Sequence, residues 1–360
     1  MTFGLLDRDT ETTPGVTAPR VTLSFGGGGG GALGGLAPDI GPFGASAGLE
    51  TGVLSLGIAR GFAPFVDWAE VHLRPPEGAG PLPTLGEAGT VGISLGDRAT
   101  SFAGTLDSLE HLSDGSVRLG IGNGARALAQ ARTSTAFAEM STGDIIAELC
   151  SEAGVDADAS GGPSLPRYFA DGGASVLDHV ARLAASMGRL ARFADDGKLE
   201  LVDDAGSGEE IPVAAGDAIL SARLGERVAA GKVRVTGAGG QDWAWLSKDA
   251  APLQAEGGSG PTIRDVSAPW LRGPDGIEGL AAARGRALAR DAAPGELHLA
   301  AYPDAQPGMI LALSGTALDG PWRVMTSTLR LDTGRGFSNH VTLARADADA
   351  GALGLLGGLL

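Results

Sequence analysis

Cysteine is almost missing from this 360-residue chain, with Cys150 standing alone. A lone thiol excludes an internal disulfide, and without a CxxC pair or a Cys/His cluster a structural zinc site is excluded too. Basic residues are also scarce, 27 Lys and Arg against 43 Asp and Glu, leaving a formal charge of -16. That balance argues against a groove that grips nucleic-acid phosphates, which needs clustered Lys and Arg, and suits a soluble, self-repelling surface. Long apolar runs are absent. The one lipid-like segment, GALGLLGGLL from Gly351 to Leu360, is far shorter than the roughly 20 residues of a membrane helix, so this chain is not expected to insert into a membrane. The amino terminus, MTFGLLDRDTETTPG, lacks the apolar centre of a secretory signal. A soluble protein made in the cytoplasm is expected.

What the chain has in excess is glycine, 60 residues where ordinary usage is about 7 per cent, which favours many turns and short strands over helix. APRVTLSF reads as a strand and is followed by a Gly/Ala/Pro-rich loop from Gly26 to Gly48. VLSLGIARGF, WAEVHLRP, TVGISLGD, SFAGTLDSLEHLSDG and SVRLGIGN are short alternating runs separated by Gly, Pro and Asp-Gly breaks. The centre differs. Ser141 and Asp144 open a helix with Ile145, Ile146 and Leu149 on one face; Ser175 and Asp178 open another, striped by Val176, Leu177, Val180 and Leu183. Asp196-Gly197 between two apolar runs marks a hairpin. Strand patterns return from about Ile211 in GKVRVTGAGG, with QDWAWLSKD a candidate continuation, then in ELHLAAYP, GMILALSG, GPWRVMTSTLRLD and SNHVTLARA. One amphipathic helix, 277–292, interrupts them before Pro294-Gly295. The expected architecture is β-rich α+β: a first β-rich domain over 1–133, an α/β insert over 134–205, a second β-rich domain over 206–347 and an apolar tail over 348–360.

The motifs that resemble active sites lack their context. Gly120 to Ala125 spells G-x-G-x-x-A after a strand and before a helix-prone segment. However, it follows a meander of short strands instead of opening a βαβ series, and Glu139 is the only acidic residue near the ribose spacing. A domain junction is the preferred reading, and a nucleotide-dependent enzyme the alternative. Ser46, in G-x-S-x-G, has no strand leading in and no helix leading out. Asp156, Asp158, Ser160 and Gly161 imitate half a calcium loop whose twelfth position is Arg167. His72, His111, His179, His298 and His340 form no HxxxH pair. The five tryptophans, Trp68, Trp243, Trp245, Trp270 and Trp322, read as core or interface anchors. No catalytic constellation emerges, so no enzyme activity, cofactor or metal is expected. A secreted β-rich surface-binding protein is the other alternative.

Taken in order, SFAGTL with its acidic return strand, STGDII, RYF, VLDHVARLAASMGRLAR and the Asp-Gly hairpin resemble the late control protein D family. These are the tail hub proteins of contractile phages, related to the hub part of type VI secretion spike proteins. Pro307-Gly308 before GMILALSG and Gly336-Phe337 before the last strand resemble the family's closing barrel. The resemblance spans residues 50–347 loosely and 100–203 most specifically. The Gly26 to Gly48 loop and the apolar tail depart from it.

This resemblance implies that the two β-rich domains are related barrels, each similar to a tail-tube subunit, with the α/β unit between them. A homotrimer would present six barrels to a tail tube ring above and hold a trimeric spike below, among other baseplate proteins. DNA or a protein cargo would cross its lumen, helped by negative charge, within an assembled phage tail or injection particle. No spike segment or murein-hydrolase domain is expected on this chain. Leu353, Leu355, Leu356, Leu359 and Leu360 of the apolar tail are the candidate contacts to a neighbouring subunit or the spike.

Overall fold

The structure is a computed structural model that describes residues 19–26, 49–204, 208–216, 218–227, 231–238 and 252–346. It is β-rich with few helices, and most of its strands join one curled sheet. In chain order the first half supplies β1 (Arg20–Phe25), β2 (Val53–Gly61), β3 (Trp68–Leu73), β4 (Ala88–Leu95), β5 (Arg98–His111) and β6 (Val117–Gly122). They pair antiparallel in the order β1-β4-β5-β6-β3-β2. Alternation decides which face is buried: Ala69, Val71 and Leu73 of β3 and Leu119 and Ile121 of β6 point to one side. With Leu56, Phe102 and Leu329 they form a core of their own.

Next come helix α1 (Gly124–Gln130), β7 (Thr135–Ser141), α2 (Thr142–Glu152), β8 (Ala157–Asp158), β9 (Ser164–Ala170), α3 (Val176–Ser186), β10 (Arg189–Phe193) and β11 (Leu199–Asp203). Both expected helices begin where their caps predict. Ser141 accepts from the Asp144 amide, and Ser175 and Asp178 close a reciprocal capping box that satisfies two otherwise orphaned backbone donors. The Asp-Gly turn joins β10 and β11, with Gly197 at φ 85° in the left-handed region.

The remaining strands are β12 (Glu210–Ala214), β13 (Ile219–Leu224), β14 (Gly231–Gly237), β15 (Leu253–Ser259) and β16 (Ile263–Ala268). Helix α4 (Pro274–Ala292) precedes β17 (Pro294–Leu299), β18 (Ile310–Ser314), β19 (Gly320–Asp332) and β20 (Gly336–Arg345). As expected, Gly308, at φ 98°, turns the chain before β18, and Gly336-Phe337 opens β20. A third core gathers round the buried Trp322 with Val324, Leu297, Leu311 and Val341.

Strand β19 is the seam of the large sheet. Its first residues pair with β18, Trp322 to Asp332 pair with β20, and Thr326 to Asp332 pair with Gly61 to Ser55 of β2. Residues from opposite ends of the chain thus form one sheet of 12 strands.

One packing relation differs from the sequence reading. Helix α4, read together with the second β-rich segment, instead buries Ile277, Leu280, Ala281 and Leu288 in the core of α2 and α3. Strands β14 to β16 form a separate three-stranded sheet, and Val233 and Val235 of β14 join that same core. The contact is close because it lacks side chains: a methyl group at Gly257 would stand 1.9 Å from the Ala281 carbonyl oxygen, and one at Gly285 2.3 Å from the Gly258 nitrogen. Gly257 and Gly258 on the strand and Gly285 on the helix let helix backbone lie on strand backbone.

Candidate functional site at the junction of the three cores

Where the three cores meet, apolar packing gives way to buried ions. Arg60, at the end of β2, is 4% exposed. Its Nη1 donates to Asp195 Oδ1 at 2.5 Å and to Thr100 Oγ1 at 3.3 Å, and its Nη2 donates to the Ser101 carbonyl. Gln306 donates from the other side to the same two acceptors, at 2.9 Å to Thr100 and 3.0 Å to Asp195. One cluster therefore ties the first half, the Asp-Gly hairpin and the second half together. Charge-assisted hydrogen bonds of this kind are directional, so they fix relative orientation where apolar contact would allow sliding.

A second cluster lies at the far end of the hairpin. The Asp204 carboxylate, 1% exposed, takes Arg286 Nε at 2.9 Å and Arg290 Nη1, both from α4. Arg323 of β19 donates to the Asp203 carbonyl at 2.8 Å, and burial holds its guanidinium below the ordinary arginine range. Between the clusters, Arg192 of β10 bonds the Pro307 carbonyl at 2.5 Å and Glu200 at 3.2 Å. Arg98 pairs with Asp304 at 2.7 Å and lies over the Tyr302 ring.

A third polar group sits under α1. Asp67, 1% exposed, accepts from the Gly61 amide at 3.0 Å and the Asn123 side-chain amide at 3.2 Å. Burial outweighs those donors and Arg60, and raises its pKa to about 7. Asn123 in turn caps α1 through the Ala125 amide at 2.9 Å.

This arrangement decides the fate of the glycine motif. Gly120 and Gly122 are not in a loop but inside β6, opposite Glu70 and Trp68 of β3. Side-chain crowding accounts for them: a methyl at Gly120 would meet Ser108, and one at Gly122 would meet Arg126 and Asp107. The N-terminus of α1 is already occupied by Asn123 and backed by Asp67, which offers nothing to a pyrophosphate.

The other motifs resolve similarly. Asp158 lies in β8, and no group of three or more His, Cys, Asp or Glu side chains able to hold a metal occurs among the described residues. His179 is fully buried. Its Nε2–H donates to the Asp171 carbonyl at 3.0 Å, so its Nδ1 accepts from the Tyr168 hydroxyl at 2.7 Å. Tyr168 also meets Trp270 edge-on. The Cys150 thiol is packed in the central core, where burial raises its pKa to about 12. His72 bonds Ser116, while His298 and His340 face each other across β17 and β20. Ser46, Trp243, Trp245 and the tail residues Leu353, Leu355, Leu356, Leu359 and Leu360 lie outside the described residues.

The charged groups of the junction are engaged with one another or with backbone carbonyls, leaving Arg192 Nε and Asp304 Oδ1 as buried atoms without a hydrogen-bond partner among the described residues. The junction is built to hold elements in register. Arg60, Asp195, Asp204 and Gln306 carried no signal in the sequence, because their partners are distant along the chain.

No protein-family model matches this sequence, and comparison with curated proteins finds no match. Comparison of structures does find matches. The chain resembles the 43 kDa tail protein of prophage MuSo2 from Shewanella oneidensis at a TM-score of 0.65 and 14% identity, covering 92% of this chain and 99% of that one. The chain has a phage tail-protein fold. A tail protein from Neisseria meningitidis shares that fold at a TM-score of 0.63 and 15% identity, over 91% of this chain and 97% of that one. An Escherichia coli component of the type VI secretion system, described as structurally similar to the T4 bacteriophage tail proteins gp27 and gp5, matches at 0.55 and 14% identity, over 82% and 73% of the two chains.

Proposed function

We propose that this chain is a structural hub of a contractile tail or injection particle, with no enzymatic role. The observation that carries the reading is the length of the structural likeness, 92% of this chain against 99% of a prophage tail protein. Such agreement covers an arrangement of elements, not one common motif.

The internal organisation supports a finer version. Strands β1 to β6 enclose one core, and β12, β13 and β17 to β20 enclose another, with β2 pairing β19 at the seam. We take these as two tube-like barrels, the second interrupted by β14 to β16 and α4, which join the α/β unit 134–205 that lies between the two. Three chains would then display six barrels. A trimer of this kind fits a sixfold tail tube on one face and a threefold spike on the other, because closed rotational symmetry lets one repeated surface satisfy both. DNA or a protein cargo passes through the central lumen, and the acidic charge of -16 keeps a polyanion from adhering.

The function is mechanical: it nucleates the tube, seats the spike and survives the thrust of contraction. The ion clusters at Arg60 and Asp204 serve that role by locking the two β-rich halves to the hairpin. Among the described residues no helix is long and apolar enough to cross a membrane. The apolar tail at Leu353 to Leu360 is proposed to lie on a neighbouring subunit, and its deletion should weaken assembly.

The test is electron microscopy of the protein co-expressed with its tube and spike partners. Threefold rings with a central hole, capped by a tube stub, support the hub. Isolated particles without rotational symmetry, beside correctly assembled tubes, refute it.

A further inference from the structure

Helices α3 and α4 run side by side over β10 and leave a cleft of about 420 Å³ between them. Its floor is methyl groups, Ala181 and Ala185 from α3 and Ala283 and Ala287 from α4. Its walls are arginine: Arg182, Arg189, Arg284 and Arg290. Two aspartates also reach it, and both are already engaged, Asp178 by the Ser175 cap and Asp204 by Arg286 and Arg290. Arg189 leans on Asp203 at 3.3 Å, and Arg182 acts on the Tyr168 hydroxyl. Arg284 is exposed and has no ion pair among the described residues. Positive charge is therefore in surplus here, on a chain whose net charge is -16.

We propose that this cleft binds an acidic peptide segment of a partner protein. The spacing favours a peptide over a small anion. Arg284 and Arg290 are six residues apart on α4, about 9 Å along the helix and about 120° around it, and Arg290 already shares its guanidinium with Asp204. A chain crossing from one to the other spans about three extended residues or more, so one carboxylate can meet the exposed Arg284 while another, two or three residues on, reaches the remaining donors of Arg290. One phosphate cannot bridge such a span. The alanine floor leaves width for a main chain, and the arginines supply paired donors on either side. The inference rests on the cleft alone and stands whether or not the chain is a hub.

The test uses the full chain and a fluorescein-labelled ten-residue peptide alternating glutamate and alanine, followed by anisotropy at low ionic strength. Saturable binding is expected, weakened about tenfold or more by Arg284→Glu and by Arg182→Ala, and reduced by salt. Arg284→Glu should keep the parent melting temperature, because Arg284 is exposed. The same peptide with glutamine for glutamate should not bind. Absence of saturable binding, or equal affinity in the parent and both variants, overturns the proposal. So does displacement of the peptide by inorganic phosphate at matched concentration, which would make the cleft a small-anion site.

Discussion

Raising the pH from about 5 to about 8 should loosen this fold through one carboxyl group, Asp67. Its pKa stands near 7 in the folded chain against an ordinary 3.8. The sign follows from proton occupancy. Between those values the folded state holds a proton that the unfolded state has lost, so stability falls as the pH rises. The full difference of about three pH units corresponds to about 4 kcal/mol, reached just above neutrality, of which about 2–3 kcal/mol develops between pH 5 and pH 8. Asp67 is 1% exposed, so solvent screening does not discount it. His340 works in the opposite direction: burial lowers its pKa, so stability gained from its neutral form grows as the pH rises toward neutrality. Comparing the parent with Asp67→Asn removes that background. The new amide meets the Asn123 amide, a cost that does not vary with pH, so the test is the slope and not the offset. Urea unfolding from pH 5 to 8 should show the parent losing about 2–3 kcal/mol more than Asp67→Asn. Parallel profiles would refute the assignment of a neutral carboxyl group beneath α1.

Other consequences follow from the packing. Asp204→Asn leaves Arg286 and Arg290 facing a neutral group and should cost about 3–5 kcal/mol by chemical denaturation. The milder Asp195→Asn should cost about 1–2 kcal/mol, since that side chain is 44% exposed while Arg60 beside it is buried. Gly285→Ala forces α4 away from β15 and should lower stability by about 1–3 kcal/mol, whereas Gly336→Ala, where the added methyl has open space, is limited to the strain of its φ of 84°. Tyr168→Phe leaves His179 Nδ1 without its donor and should cost about 1–3 kcal/mol, read from the thermal midpoint.

Local chemistry was legible in the sequence. Ser141 and Ser175, each followed three residues later by aspartate, marked the starts of α2 and α3, because a cap is a contact within one turn. Alternating runs marked β2 to β6 and β17 to β20, and Asp196-Gly197 marked its hairpin. What stayed hidden was how faces pair. The stripe of α4 announced burial but not its partner, and the helix lies on β14, β15 and α3, not on the second half of the large sheet. Strand β8 is only two residues long, and β15 and β16, exposed at most positions, have too little apolar alternation to stand out. The junction was invisible for a related reason. Arg60 reaches Asp195 across 135 residues and Gln306 reaches Thr100 across 206, separations no local pattern encodes. The glycine motif, already read as a junction and not a phosphate loop, answers to its neighbours: Gly120 and Gly122 are set by side chains on β5 and by Arg126.

The central claim is that three copies of this chain form one hub, and its most direct test is the mass of the purified protein in solution. Light scattering across a range of concentrations should give about 108 kDa, three times the chain's 35.9 kDa, for the protein alone, and that mass plus the partners' own once tube and spike are bound. A mass that stays at 35.9 kDa beside those partners would contradict the account.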